Sequence, residues 1–115
     1  MKRQPVITGL GIVSPIGIGI EKFWAAAKAG KSGIRTPTLF DASKLPPDCR
    51  MVGEVTDFDP LAWMPPRVAR MAGRFSQFAV AAAKMAREES GLDSADIPPE
   101  RLKVSVGTTM NGQVD

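Results

Sequence analysis

Cys49 is the only cysteine of the 115 residues, and the chain has no histidine to activate it. A nucleophilic thiol acts as the thiolate, which needs a positive, preorganised setting and usually a base within hydrogen-bond reach. Cys49 stands instead in Leu45-Pro46-Pro47-Asp48-Cys49-Arg50, an irregular polar stretch where Arg50 supplies charge but no base. An inert surface or half-buried thiol is the expectation. A single cysteine also excludes an intrachain disulfide and a thiolate metal cluster, while the lack of histidine removes the usual general base and the commonest metal ligand. Most hydrolase and metalloenzyme chemistries fall with them, and no catalytic or metal-binding residue is assigned.

Two other patterns invite a ligand. Gly9-Leu10-Gly11-Ile12-Val13-Ser14 follows a β-branched run, as a dinucleotide fingerprint would, but Ser14 occupies the third glycine position and Pro15 follows it. No acidic residue closes a later strand at the required distance, and no phosphate-loop pattern occurs elsewhere. No cofactor is expected, and these glycines are read as turn residues. Arg67, Arg70 and Arg74 recur three and four apart, so on one helix they would form a basic stripe. Such a stripe is either a solvated face or a dock for an acidic partner, and spacing alone leaves both open. The 15 Lys and Arg against 12 Asp and Glu are interleaved, with no basic run and no aromatic interleaving, which argues against nucleic acid.

The elements that would hold these residues follow an α/β order. Val6–Gly9 reads as a strand entering a glycine-rich turn. Ile20, Phe23, Trp24 and Ala27 recur at helical spacing, and Gly30 stands where a left-handed cap is expected. Residues 31–66 read mostly as loop, with Met51–Val55 a short strand. From Arg67 to Ser90 the positions Val68, Met71, Phe75, Phe78, Ala82, Met85 and Ala86 predict one long helix capped by Gly91, with Phe75 and Phe78 in the core. Lys103–Thr108 alternates as a second strand, expected to lie parallel to the first in one sheet. Two strands are too few for a stable sheet, and the segment 78–83 is apolar on nearly every side, which predicts an incomplete part of a larger domain. The most apolar stretch, residues 6–20, is broken by glycines and prolines, so neither a membrane span nor a secretory leader is expected; a cytoplasmic location is the default.

Taken in order, Val6-Ile7-Thr8-Gly9-Leu10-Gly11-Ile12-Val13-Ser14-Pro15-Ile16-Gly17, Phe23-Trp24, Ala29-Gly30-Lys31-Ser32-Gly33-Ile34, Leu39-Phe40-Asp41-Ala42-Ser43, Gly53-Glu54-Val55, Asp57-Phe58-Asp59-Pro60, Arg74-Phe75-Ser76-Gln77-Phe78-Ala79 and Val106-Gly107-Thr108 resemble the N-terminal part of the β-ketoacyl-acyl-carrier-protein synthases. The resemblance implies a partial thiolase-like fold, the opening part of the first half of an αβαβα layered architecture, with residues 1–115 an incomplete N-terminal domain. It implies a decarboxylative condensation in fatty-acid or polyketide assembly, for which the acylated cysteine and the assisting histidines come later than this sequence. The chain alone is therefore expected to be inactive, a fragment or truncated product. The family docks the acidic helix of an acyl carrier protein through basic residues before the Phe-Ser-Gln-Phe segment. Arg67 and Arg70 match those positions, Arg74 completes the stripe, and Met71 stands where another basic residue is common. The closing turn departs from the family at Thr109 and Asn111. Expected partners are the carrier protein and the remaining part of the synthase or a second subunit. The rival readings are a non-catalytic carrier-binding or complementing module, a chain-length-factor-like relative and a small nucleotide-binding domain.

Overall fold

The computed structural model describes residues 4–109, which divide into two compact units: residues 12–59, and the chain up to Gly11 joined with the chain from Pro60 onward. In the first unit, β1 (Val13–Ser14) turns back on β2 (Gly17–Ile18) as an antiparallel ladder, Val13 facing Ile18 and Ser14 facing Gly17. The Ser14 hydroxyl tightens the turn by donating to the Gly17 carbonyl at 2.9 Å. Gly19, at φ 87°, swings the chain directly into α1 (Ile20–Lys28). Glu21 in its first turn and Lys28 in its last suit the helix dipole, and Gly30 ends the segment at φ 66°, as expected. β3 (Ile34–Arg35) pairs antiparallel with β4 (Val52–Gly53), so the strand expected at Met51–Val55 exists in shortened form with a partner the local pattern had not shown. Ala26, Ala42, Val55 and Phe58 are buried here together with one carboxylate, Glu54.

The second unit departs from the expected long helix. Pro66 opens α2 (Pro66–Met71), at a first-turn position where its missing N–H costs nothing, and α3 (Arg74–Ser90) begins only after a bend. Ala72 and Gly73 lie between them in extended conformation, with ψ of 129° and 155°. The apolar spacing runs straight through this bend, but glycine is a poor helix former, and here its bareness is used: a Cβ on Gly73 would stand 2.9 Å from Cε1 of the Phe75 ring. Gly91 ends α3 in the left-handed conformation at φ 65°, as predicted. Single 3₁₀ turns at Leu92–Ser94 and Pro99–Arg101 follow.

Neither Val6–Gly9 nor Lys103–Thr108 forms a ladder, and the sheets among the described residues are the two short antiparallel pairs. The expected parallel sheet is thus corrected to helices with short hairpin-like pairings. Cross-strand neighbours stabilise a strand, and these two segments have none among the described residues; Val6 is 79% and Val104 92% exposed. Gly9 and Gly11 instead lie against α3, where a Cβ would overlap the carbonyl oxygens of Ala86 and Ala82 respectively. Their φ values are not positive, so these glycines provide room for a helix rather than a turn forbidden to other residues. Along α3, Ala81 is fully buried, while Ala79 and Ala83 stay exposed. The helix middle that reads as apolar all round is therefore not enclosed on every side.

Candidate functional site

The basic residues singled out by spacing are split by the bend. Arg67 and Arg70 lie three apart on α2 and share a face, both exposed. Arg74 is the first residue of α3, beyond the two extended residues, so the three do not form one stripe on one helix. Its guanidinium sits 5.0 Å from the centroid of the Phe78 ring, a cation–π contact within α3. Phe78 is half-buried as a core residue should be, but Phe75 remains 45% exposed.

What holds α2 in place comes largely from α3 and the turn before it. The Ala69 amide donates to the Pro65 carbonyl at 3.0 Å, and Gln77 on α3 reaches back with its side-chain amide to Ala69 and Ala72. Lys84, further along α3, donates to the Trp63 carbonyl, and the Trp63 amide donates to Pro60 at 3.0 Å. α3 thus ties the chain entering α2 through Lys84 and the end of α2 through Gln77.

Cys49 is exposed at the end of a 3₁₀ turn, Pro47–Cys49, and its amide donates to the Pro46 carbonyl at 2.9 Å. Arg50 is turned to other work: Nε donates to the Leu45 carbonyl at 2.8 Å and Nη2 to the Ser43 carbonyl at 2.9 Å, closing the loop. Asp41 in the same loop accepts from the Ser43 amide and hydroxyl, and these two bonds hold its carboxyl below the ordinary value. No group of acidic, cysteine or histidine side chains among the described residues is placed to hold a metal. No described helix is long and apolar enough to cross a membrane.

The glycine-rich segment borders a shallow open depression of about 320 Å³ lined by Thr8, Gly9, Ala83, Ala86, Arg87, Ser90 and Leu92. Arg87 there is engaged in an ion pair with Asp93, the Leu10 amide donates to Glu89, and the Ser90 hydroxyl donates to the Arg87 carbonyl. The lining carries no nucleophile beside a base.

Two residues with long-range roles, Glu54 and Gln77, lie within the family-like motifs but receive no role from the sequence. Each is a polar residue next to apolar ones, Glu54 before Val55 and Gln77 before Phe78. A polar group that must follow its neighbours inward requires a hydrogen-bond partner, and that is the signal available for both.

Comparison with known proteins puts this arrangement in context. Residues 2–115 match the family described as Beta-ketoacyl synthase, N-terminal domain. The chain is 41% identical over 111 residues to the 3-oxoacyl-[acyl-carrier-protein] synthase 2 of Coxiella burnetii, covering 96% of this chain and 26% of that protein. It is 43% identical over 110 residues to the tetracenomycin polyketide synthase ketoacyl synthase alpha subunit of Streptomyces glaucescens, covering 95% of this chain and 25% of that one. Among solved structures, the ishigamide ketosynthase/chain length factor matches with a TM-score of 0.63 and 40% identity, over 75% of this chain and 21% of that chain. The chain spans about a quarter of the length of the curated relatives it matches. With a family match that runs from residue 2 to residue 115, the chain belongs to the beta-ketoacyl synthase family, in the N-terminal domain.

Proposed function

We propose that this chain supplies the N-terminal portion of the scaffold of a β-ketoacyl-acyl-carrier-protein synthase. The observation that carries this reading is the family match across residues 2–115, in line with about 40% identity to both a fatty-acid and a polyketide synthase. In the reaction, an acyl group waits as a thioester on an enzyme cysteine while malonyl-carrier protein loses carbon dioxide. The resulting enolate carbon attacks the acyl carbonyl, the carbon–sulfur bond breaks, and the freed thiolate leaves the extended β-ketoacyl chain on the carrier. Cys49 does not take the acyl group in this reading, since it is exposed in a loop and the chain has no histidine.

The contribution of these residues is scaffold and docking. Arg67 and Arg70 face solvent on a short helix, and an acidic carrier protein would be drawn to them mainly through its rate of encounter. The test replaces the aligned residues of the Coxiella burnetii synthase by this chain and measures condensation and the KM for malonyl-carrier protein. The grafted enzyme condenses, the isolated chain does not, and charge reversal of Arg67 and Arg70 to glutamate raises the carrier KM more than it lowers kcat. Acyl-thioester formation by the isolated chain overturns the scaffold reading, and an unchanged carrier KM removes the docking role.

A second reading is favoured by the likeness to a ketosynthase/chain length factor. Here the chain belongs to a non-catalytic relative that complements a condensing subunit. Mass spectrometry of the assembled protein after incubation with acyl-carrier protein separates the two: an acyl adduct marks the synthase, and its absence marks the relative.

A further inference from the structure

A helix that stops leaves its last carbonyls without the amides that another turn would have brought. At the end of α2, two carbonyls receive a side chain instead. Nε2 of Gln77 lies 2.8 Å from the oxygen of Ala69 and 3.1 Å from that of Ala72. A primary carboxamide has two N–H donors on that nitrogen, and here two carbonyls stand within reach of it. Gln77 sits in the first turn of α3, its own amide donating to the Gly73 carbonyl at 3.0 Å, and it is half-buried. A single side chain therefore spans the bend and joins the end of α2 to the start of α3.

α2 has six residues, far too few to persist without tertiary support. Its direction rests on ties at its two ends, and Gln77 is the side chain that supplies the tie at the C-terminal end. Arg67 and Arg70 ride on this helix, so the direction in which their charges point depends on a neutral residue bonded to the backbone at Ala69 and Ala72. Resting on the docking reading above, we propose that Gln77 is a positioning residue for carrier-protein docking, holding α2 at the angle at which Arg67 and Arg70 meet the partner together.

The experiment uses the full chain and purified holo-acyl-carrier protein as the probe, with Kd measured by titration at low and moderate salt. Gln77→Met keeps the length of the stem and removes the donors; Gln77→Glu sets acceptors against the same two carbonyls. Both variants are expected to bind about five- to tenfold more weakly, the equivalent of losing one or two net hydrogen bonds. The discriminating result is coupling: Arg67→Glu costs less affinity in the Gln77→Met background than in the parent, because an arginine no longer held toward the partner has less to lose. A general loss of stability would lower affinity without shrinking the effect of Arg67→Glu. A measurement without any variant accompanies this: the side-chain amide protons of Gln77 exchange with solvent roughly tenfold more slowly than those of exposed Gln4, as held donors should. Parent-like binding by Gln77→Met, while charge reversal at Arg67 and Arg70 still weakens it, overturns the positioning role alone. Equal exchange of the two glutamine side chains overturns it as well. Unchanged binding after charge reversal removes the docking reading and this proposal together.

Discussion

Thr38 holds the carboxylate of Glu54 from two sides, its hydroxyl donating to Oε2 at 2.7 Å and its amide lying 3.0 and 2.9 Å from the two oxygens. The Leu39 amide adds a bond of 2.8 Å to Oε1, and Arg35 donates to the Glu54 backbone carbonyl at 2.8 Å. Glu54, a residue only 7% exposed, thereby fastens residues 38 and 39 to the end of β4. Burial opposes its ionisation, but the Thr38 hydroxyl, the Leu39 and Thr38 amides and the Arg35 charge together outweigh it and hold the carboxyl below its ordinary value of 4.5.

The sign of the resulting pH dependence follows from which state takes up the proton first. The unfolded chain protonates Glu54 at the ordinary value and the folded chain only below it, so the stabilisation is fully present above about 4.5 and is lost as pH falls through the folded value. Urea denaturation from about pH 7 to about pH 3 should show a midpoint that drops with acid. Glu54→Gln lowers the midpoint near neutrality, because an amide nitrogen then faces donors, and flattens the dependence on acid. A slope from Asp41, whose carboxyl is lowered by Ser43, persists in the variant. An acid dependence identical in the two proteins contradicts the Glu54 clamp.

Gly11 and Gly107 should respond unequally to the same change. A methyl group on Gly11 overlaps the Ala82 carbonyl and stands 2.7 Å from its carbon, both backbone atoms of α3, whereas nothing lies within 4 Å of the same position on Gly107. Gly11→Ala is expected to cost about 1–3 kcal/mol, as overpacking does, when measured by urea denaturation. Gly107→Ala should stay within about 0.5 kcal/mol of the parent. Similar losses at both positions would remove the close approach of this segment to α3.

The exposed valines near the C-terminal side should make the isolated chain associate with itself. Val104 is 92% and Val106 71% exposed in a β-branched, alternating segment with no ladder partner among the described residues. Sedimentation velocity should show larger species growing with concentration. Replacing both valines by lysine shifts the chain toward monomer, with far-ultraviolet circular dichroism unchanged. Association that is indifferent to these substitutions would place its cause elsewhere.

Cys49 should behave as an ordinary surface thiol. It is exposed, and the neighbouring arginine is committed to carbonyls of its own loop. A thiol reagent should modify it completely in the folded chain, and Cys49→Ala should change stability by less than about 0.5 kcal/mol. In the grafted synthase described above, the same substitution leaves the rate of condensation unaltered. Loss of condensation there would return Cys49 to the chemistry.

Features set by neighbours along the chain were legible before folding. The apolar spacing of Ile20, Phe23, Trp24 and Ala27 yields α1, and the left-handed glycines at 30 and 91 follow the two longer helices where a cap was expected. The ordered motifs beginning at Val6 point to the ketoacyl synthase family, and the match over residues 2–115 agrees. The recognisable turn at Val106–Gly112 lies partly outside the described residues, which end at Thr109.

The remainder depends on contacts across many residues, which no local period encodes. Apolar spacing passes through Ala72 and Gly73 without interruption, yet the helix breaks there, with Gln77 bonded to the carbonyls that the break leaves open. Ile34–Arg35 becomes a strand because Val52–Gly53 lies beside it, and Val6–Gly9 does not because no strand does. Gly9 and Gly11 read as a turn until α3 is laid over them, and Glu54 has no partner in its own stretch of sequence until Thr38 and Leu39 close on it. Helix periodicity and caps are properties of residues three or four apart, whereas a ladder, a close approach and a buried carboxylate each need a partner that the chain brings near only by folding.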